Sequence, residues 1–292
     1  MAFKTPDQIA TAAVNAGVAK ANLSPARMLV GSVLAGAYIA FAGLLGIAVT
    51  SGLAPATWGT LPALIFGLVF STGLILVVLA GSELVTGNMM LLPIALLRRP
   101  SLAGRAGVSL VVVTVGNLAG SLLVAYFFAI KTGVIGAAGA KAGTPALATF
   151  TRLAGIATGK ALTETDAQIF LRAIACNWLV CLAVWLALAA DDIAGKILGI
   201  LFPITAFVAM GFDHVVANMF FLPLAMFLHV PGVTFTHLLT NLIFAFLGNL
   251  VGAAVFVAGA YWFMNLRGNP EPAGAAETPY QRQPIFARRG NR

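Results

Sequence analysis

The chain has 292 residues, 60% hydrophobic and only 9% charged; a soluble domain carries roughly a quarter charged residues, so a water-coated globule is excluded. Several apolar runs exceed the ~20 residues that a bilayer-spanning helix needs, which points to an all-α integral membrane protein. The net charge of +8 comes without an aromatic-interleaved basic patch or zinc spacing, so no nucleic-acid partner is expected.

Residues 1–27 lack the continuous apolar core of a signal peptide. Ile9, Ala12, Ala13 and Ala16 are spaced for one helical face, which predicts an amphipathic helix lying at the membrane surface. The first span is predicted over about 28–50. The second begins near Pro62 and runs to about 80. It breaks at Gly81–Asn88 and resumes to about 97. The third covers about 106–130, and a Gly/Ala/Thr-rich loop follows to about 168. The fourth covers about 169–190. The fifth starts near Gly195, breaks at Gly211–His214 and resumes to about 228. The sixth covers about 235–264. A channel domain over 28–265 is thus expected, with a basic tail over 266–292. That tail is Pro-, Gly- and Arg-rich from Asn269 onward and reads as disordered.

Six spans put both termini on one side. Twelve of the Lys and Arg residues, among them Lys4, Lys20, Arg98, Arg99 and Arg267, fall there; five, Lys131, Lys141, Arg152, Lys160 and Arg172, fall on the other. The positive-inside rule makes the first side cytoplasmic, in an inner membrane. Cys176 and Cys181 share one predicted helix about 140° apart around its axis, so they read as small buried residues rather than a bridge.

The two breaks repeat one another. Gly81, Glu83, Val85, Asn88, Met89, Leu92 and Pro93 match Gly211, Asp213, Val215, Asn218, Met219, Leu222 and Pro223 at an ungapped offset of 130 residues. A second block follows, Gly116-Asn117-Leu118-Ala119-Gly120 against Gly248-Asn249-Leu250-Val251-Gly252. The repeats span about 28–130 and 169–264. Each holds three spans, an odd number, so the halves are inverted. Inverted repeats of broken helices place a substrate site near the bilayer midplane. Irregular backbone at that depth is tolerated only where it is buried or lines a cavity.

Ionisable groups inside spans are few, namely Glu83, Asp213 and His214, and such groups suggest function. His214 titrates nearest neutrality; the alternative is a hydrogen-bonded histidine that never titrates. Its position inside a break favours a proton-exchanging role. Symmetric placement of Glu83 and Asp213 favours a structural task, such as accepting backbone N–H bonds at a helix end. The Thr86 hydroxyl both donates and accepts, so it suits substrate or His214. Asn88 and Asn218 tie the breaks down. Three scattered histidines make no metal cluster, and no HExxH, GxSxG or Walker motif appears. Neither an enzyme nor a cofactor is expected.

Gly81–Asn88, Cys176–Trp185, Gly211–Phe220 and Gly248–Gly252 together resemble the formate/nitrite transporter family, with similarity from about residue 5 to 265. The resemblance implies an aquaporin-like protomer, a homopentamer with one pore per protomer, and passage of formate, nitrite, hydrosulfide or lactate. It implies a pathway along His214, Thr86, Lys160, Asn177 and Asn218. It also implies a cytoplasmic constriction at Leu84 and Val85 and a periplasmic one at Phe70, Leu74 and Phe207. Val85 stands where the family often has Phe, which implies a wider constriction. Lys160 best matches the vestibule lysine, with one extra residue before Asn177.

A bare anion in an apolar ring meets a large desolvation cost. Lys160 is expected to concentrate the anion at the mouth. Deeper in, lost hydration raises the anion's basicity, and His214, directly or through water, supplies a proton so that the neutral acid crosses. The partners expected are therefore the small anion, protons and lipid. Two competing expectations remain. One is passage of the charged anion with His214 silent. The other is an aquaporin-type neutral-solute pore, against which stands the absence of paired Asn-Pro-Ala, since Met89 and Met219 follow the two asparagines.

Overall fold

Two left-handed glycines at repeat-equivalent positions, Gly81 (φ 75°) and Gly211 (φ 73°), end two half-spans inside the protein. A computed structural model describes residues 3–268; the tail expected to be disordered lies outside the described residues from 269 onward. The described chain is helical. α1 is Pro6–Ala21, α2 Pro25–Thr50, α3 the single turn Pro55–Trp58, α4 Leu61–Ala80 and α5 Val85–Arg98. α6 covers Ala103–Leu123 and runs on through a π-turn over Val124–Lys131. α7 is Pro145–Thr158, prolonged by a π-turn over Gly159–Thr163. α8 is Asp166–Ala189, α9 Ile193–Ala209 and α10 Val215–Phe227. α11 covers Phe235–Ala253 and continues through a π-turn over Ala254–Gly259 into α12, Ala260–Asn265.

Within the described residues these helices make six spans. Four are continuous, and the second and fifth are the broken pairs α4–α5 and α9–α10. α2 packs on α4 and α6; its repeat image α8 packs on α9 and α11, and α4 meets α9 across the centre. Without a hydrophobic force between helices in lipid, such seams depend on close backbone approach. The repeated Gly-Asn block supplies it. A Cβ on Gly116 or Gly120 would collide with Ser32 or the Val33 carbonyl of α2. A Cβ on Gly248 or Gly252 would collide with the Phe170 or Ile174 carbonyl of α8.

The structure corrects two sequence expectations. The first break is shorter than 81–88: only Gly81–Leu84 is non-helical, and Thr86, Gly87 and Asn88 already lie in the first turns of α5. The second is the segment expected to be loop to about 168, which contains α7. Pro145 starts that helix and the Thr144 hydroxyl accepts the Leu147 N–H. Its Ala, Gly and Thr content reads as loop, although Leu147, Phe150, Leu153 and Ala157 are spaced for one helical face.

α7 extends the repeat. α1 and α7 both begin Thr-Pro, with the threonine as N-cap, and each precedes the first span of its half. α1 packs on α5, turning Ile9, Ala10, Ala13, Val14, Gly17 and Ala21 inward, and α7 packs on α10. Each short helix brings a lysine to its break, Lys20 at the end of α1 and Lys160 just beyond α7.

Candidate functional site

Breaking a helix frees backbone groups that hydrocarbon cannot satisfy. Here the middle asparagine of each Gly-Asn block satisfies them. Asn117 Oδ1 accepts the Val85 N–H at 2.9 Å, and its Nδ2 donates to the Glu83 carbonyl at 2.9 Å and the Ser32 carbonyl at 2.7 Å. Asn249 Oδ1 accepts the Val215 N–H at 2.9 Å, and its Nδ2 donates to the Asp213 and Ala173 carbonyls, each at 2.8 Å. The two clamps are images of each other. The chain was expected to close the breaks with the break's own polar residues; the asparagine in the third span of each half does most of it.

The acids do not receive backbone N–H groups either. Lys20 Nζ donates to Glu83 Oε1 at 2.8 Å, and Asn88 Nδ2 to Glu83 Oε2 at 3.0 Å. Lys160 Nζ donates to Asp213 Oδ1 at 2.7 Å, and Asn218 Nδ2 to the same oxygen at 2.9 Å. Each half thus carries a lysine–acid–asparagine triad across its break. Lys160 sits in the π-turn that prolongs α7.

His214 is the N-cap of α10 and is 2% exposed. Its Nδ1 accepts the Ala217 N–H at 3.2 Å, and its Nε2 lies 2.9 Å from Thr86 Oγ1. An Nδ1 that accepts cannot carry a proton, so the neutral ring holds its proton on Nε2 and donates it toward Thr86. The ring also stacks on Phe207, with centroids 5.9 Å apart, and Phe207 meets Phe70 edge-on at 6.2 Å.

A cavity of about 280 Å³ opens on the α7 side and reaches this ring. Phe66, Phe70, Phe207, Phe221, His214 and Asn218 form its walls, and Arg152, Lys160, Glu164 and Arg172 its charged mouth. Arg152 was expected only as a span-flanking charge. Its Nε donates to Thr50 Oγ1 at 3.1 Å and its guanidinium lies 5.6 Å from the centre of the Phe66 ring. Arg172 pairs with Glu164 at 2.6 Å. The sequence pattern does not reveal Glu164 or the pairings of Arg152 and Arg172, because they lie outside the repeat.

Of the residues expected on the pathway, His214, Asn218, Lys160, Phe70 and Phe207 line this cavity. Thr86, Leu74, Leu84 and Val85 are buried and do not line it. Asn177 is corrected: it is fully buried, and its Nδ2 donates to the Thr86 and Asn249 carbonyls at 3.1 and 2.8 Å. Its donors hold backbone and reach no cavity. Cys176 and Cys181 are free and buried.

Known proteins share this arrangement of chain. The model of the formate/nitrite transporter family matches residues 7–263. A probable formate transporter of Methanothermobacter thermautotrophicus is 49% identical over 91% of this chain and 98% of its own. A formate channel of Bacillus thuringiensis is 41% identical over 90% and 96%. Among solved structures, an FNT family ion channel superposes with a TM-score of 0.79 at 29% identity, covering 88% of this chain and 98% of its own. A pentameric formate channel with formate bound gives 0.71 at 28%, covering 83% and 98%. Inverted halves, paired breaks and a match over nearly the whole length lead to one assignment: the chain belongs to the formate/nitrite transporter family.

Proposed function

We propose that this chain is a channel-type transporter of small weak-acid anions, formate first. It works in an inner membrane as a homopentamer with one pore per protomer and both termini cytoplasmic. The observation that carries the reading is the Thr86–His214 hydrogen bond, buried between the two breaks and reached by a cavity with a basic mouth. Formate is favoured by the names of two similar relatives, and the pentamer by the solved neighbour that is a pentameric formate channel. The excess of Lys and Arg on the terminal side supports the orientation.

Lys160, Arg172 and Arg152 concentrate the anion at the mouth. The Phe70–Phe207 ring then strips its water, which raises its basicity. At the waist the His214 Nε2–H turns from Thr86 to the anion's oxygen. A second proton on the ring would set an Nδ1–H against the Ala217 N–H, so the ring acts as a fixed donor rather than a proton store. The anion, held by that donor, takes up a proton that reaches it from bulk water through the cavity, and it crosses the rest of the pore as the neutral acid. Nitrite, the other substrate in the family's description, has the same charge and nearly the same reach, and is the second reading.

Proteoliposomes with an internal pH dye test this. Formate entry should be accompanied by internal acidification. His214→Phe, which keeps a ring without a donor, should abolish it, and His214→Gln, which restores an N–H, should recover part. Formate entry no faster than in protein-free vesicles would refute the transport reading; full activity in His214→Phe would refute the donor role.

A further inference from the structure

The two triads share one plan but distribute their donors differently over the carboxylate oxygens. On the α1 side both Glu83 oxygens have donors, Lys20 on Oε1 and Asn88 on Oε2. On the α7 side Lys160 and Asn218 both use Asp213 Oδ1, and Asp213 Oδ2 has no donor among the described residues. Asp213 is fully buried. Glu164 repeats the pattern. Arg172 donates to its Oε1, while Oε2 is buried and without a donor. The two carboxyl groups are hydrogen-bonding neighbours of each other. Two anionic oxygens do not sit together in a buried site with no proton between them; one proton satisfies both, as an O–H on one and an acceptor on the other.

We propose that Glu164 and Asp213 share a single proton at the α7-side mouth, and that its presence or absence sets the charge an entering anion meets. The second half rests on the anion-transport reading. The charged and titratable groups facing the pair are Lys160 from the π-turn, Arg172 and Cys176 from α8, Arg152 across the cavity from α7, and His214 beside Asp213. With the proton in place the mouth is one unit more positive than without it. Burial first, then Asp213 beside it, pushes the Glu164 carboxyl up to about 7, against the opposing pull of Lys160 and Arg172. The proton is therefore held below that pH and lost above it. No exchange of heavy atoms is involved: the proton leaves to water and returns from it.

One unit of charge at roughly 6–8 Å, in the water-like dielectric of a mouth, changes local anion occupancy about twofold to threefold. The expected result is a half-saturating formate concentration that rises by that factor as symmetric pH is raised from about one unit below 7 to one unit above. Maximal flux should change less. Glu164→Gln keeps the Arg172 contact on its amide oxygen and supplies a permanent N–H to Asp213 Oδ2. It should hold the low half-saturating value across the range. The pair itself is read separately by infrared difference spectroscopy of the wild-type protein. A protonated-carboxyl band should appear below neutral pH and vanish above it, and be absent from Glu164→Gln. If no such band titrates in the wild type, the shared proton is refuted whether or not the protein transports formate. If the band titrates but the pH dependence is the same in wild type and Glu164→Gln, the charge-setting role is refuted. A variant that fails to assemble leaves the wild-type spectrum to decide.

Discussion

Asn249→Ala is the sharpest test of how the breaks are held. The side chain is fully buried and makes three hydrogen bonds: one from the Val215 N–H and two to the Ala173 and Asp213 carbonyls. A net hydrogen bond is worth about 0.5–1.5 kcal/mol, and bonds inside membrane proteins average about 0.6 kcal/mol. Three such bonds, with their backbone partners left unpaired, come to roughly 2–4 kcal/mol. Asn117→Ala should cost the same, because its three bonds are the image of these. Asn241→Ala is the comparison. It loses one bond to Asn218 and one to the Lys160 carbonyl, and touches neither break's backbone. Thermal unfolding of the purified protein in detergent should therefore rank Asn249→Ala and Asn117→Ala together and well below Asn241→Ala. Formate uptake should fall in Asn249→Ala more than stability alone explains, since Val215 directly follows His214. Unfolding of Asn249→Ala at the wild-type temperature, with uptake intact, would refute the clamp.

Thr86→Ser should keep the wild-type unfolding temperature, while Thr86→Val, nearly the same shape, should cost roughly 1–3 kcal/mol of stability by leaving the buried His214 donor without its acceptor; thermal unfolding of the two variants decides it. Lys160→Ala should raise the half-saturating formate concentration more than it lowers maximal flux, and high salt should shrink the wild-type advantage. The same change strands Asp213 and should cost about 3–5 kcal/mol of stability, which Asp213→Asn in the same chain should restore without restoring affinity. Val85→Phe was expected to narrow a wide constriction, but Val85 is fully enclosed with its N–H on Asn117. The expected outcome is now overpacking, a loss of roughly 1–3 kcal/mol seen in thermal unfolding. An unchanged unfolding temperature with a shifted formate-to-lactate ratio would favour the constriction instead.

The parts of the site that the repeat encodes were legible in the chain. The offset of 130 residues singled out both breaks, both acids and both Asn residues, and polarity inside an apolar span singled out His214 and Thr86. The Gly-Asn blocks were visible as a repeat, yet their task was not: an asparagine reaching a neighbouring span's backbone leaves no periodic trace. Lys20 was read only as a topology charge, although two inverted halves with one buried acid each imply one cation each. α7 was missed because its Ala, Gly and Thr content reads as loop, even though Leu147, Phe150, Leu153 and Ala157 mark one apolar face. Glu164, Arg152 and Arg172 have no repeat partner, and only the folded mouth brings them to one cavity.

The departures from symmetry say where the chemistry is. Along the breaks the repeat keeps the acid (Glu83, Asp213), the first helical valine (Val85, Val215) and the asparagine (Asn88, Asn218). Besides Ser82 against Phe212, two further positions set a polar residue against an apolar one. His214 has Leu84 as its image, and Thr86 has Val216. By the symmetry of the repeat these four residues form two pairs: His214 with Thr86, and Leu84 with Val216. The first pair is hydrogen-bonded at 2.9 Å; the second is buried and apolar. On the mechanism proposed above, a symmetric waist with two polar pairs would hold water on both sides of the axis and weaken the desolvation that makes the anion basic. One with none would give the anion no donor in the dry region, where an unpaired charge is most costly. One donor set against an apolar wall does both jobs at once. The repeated frame, with its paired clamps and lysine–acid–asparagine triads, is what holds that single donor at a fixed place between two breaks that would otherwise be free to move.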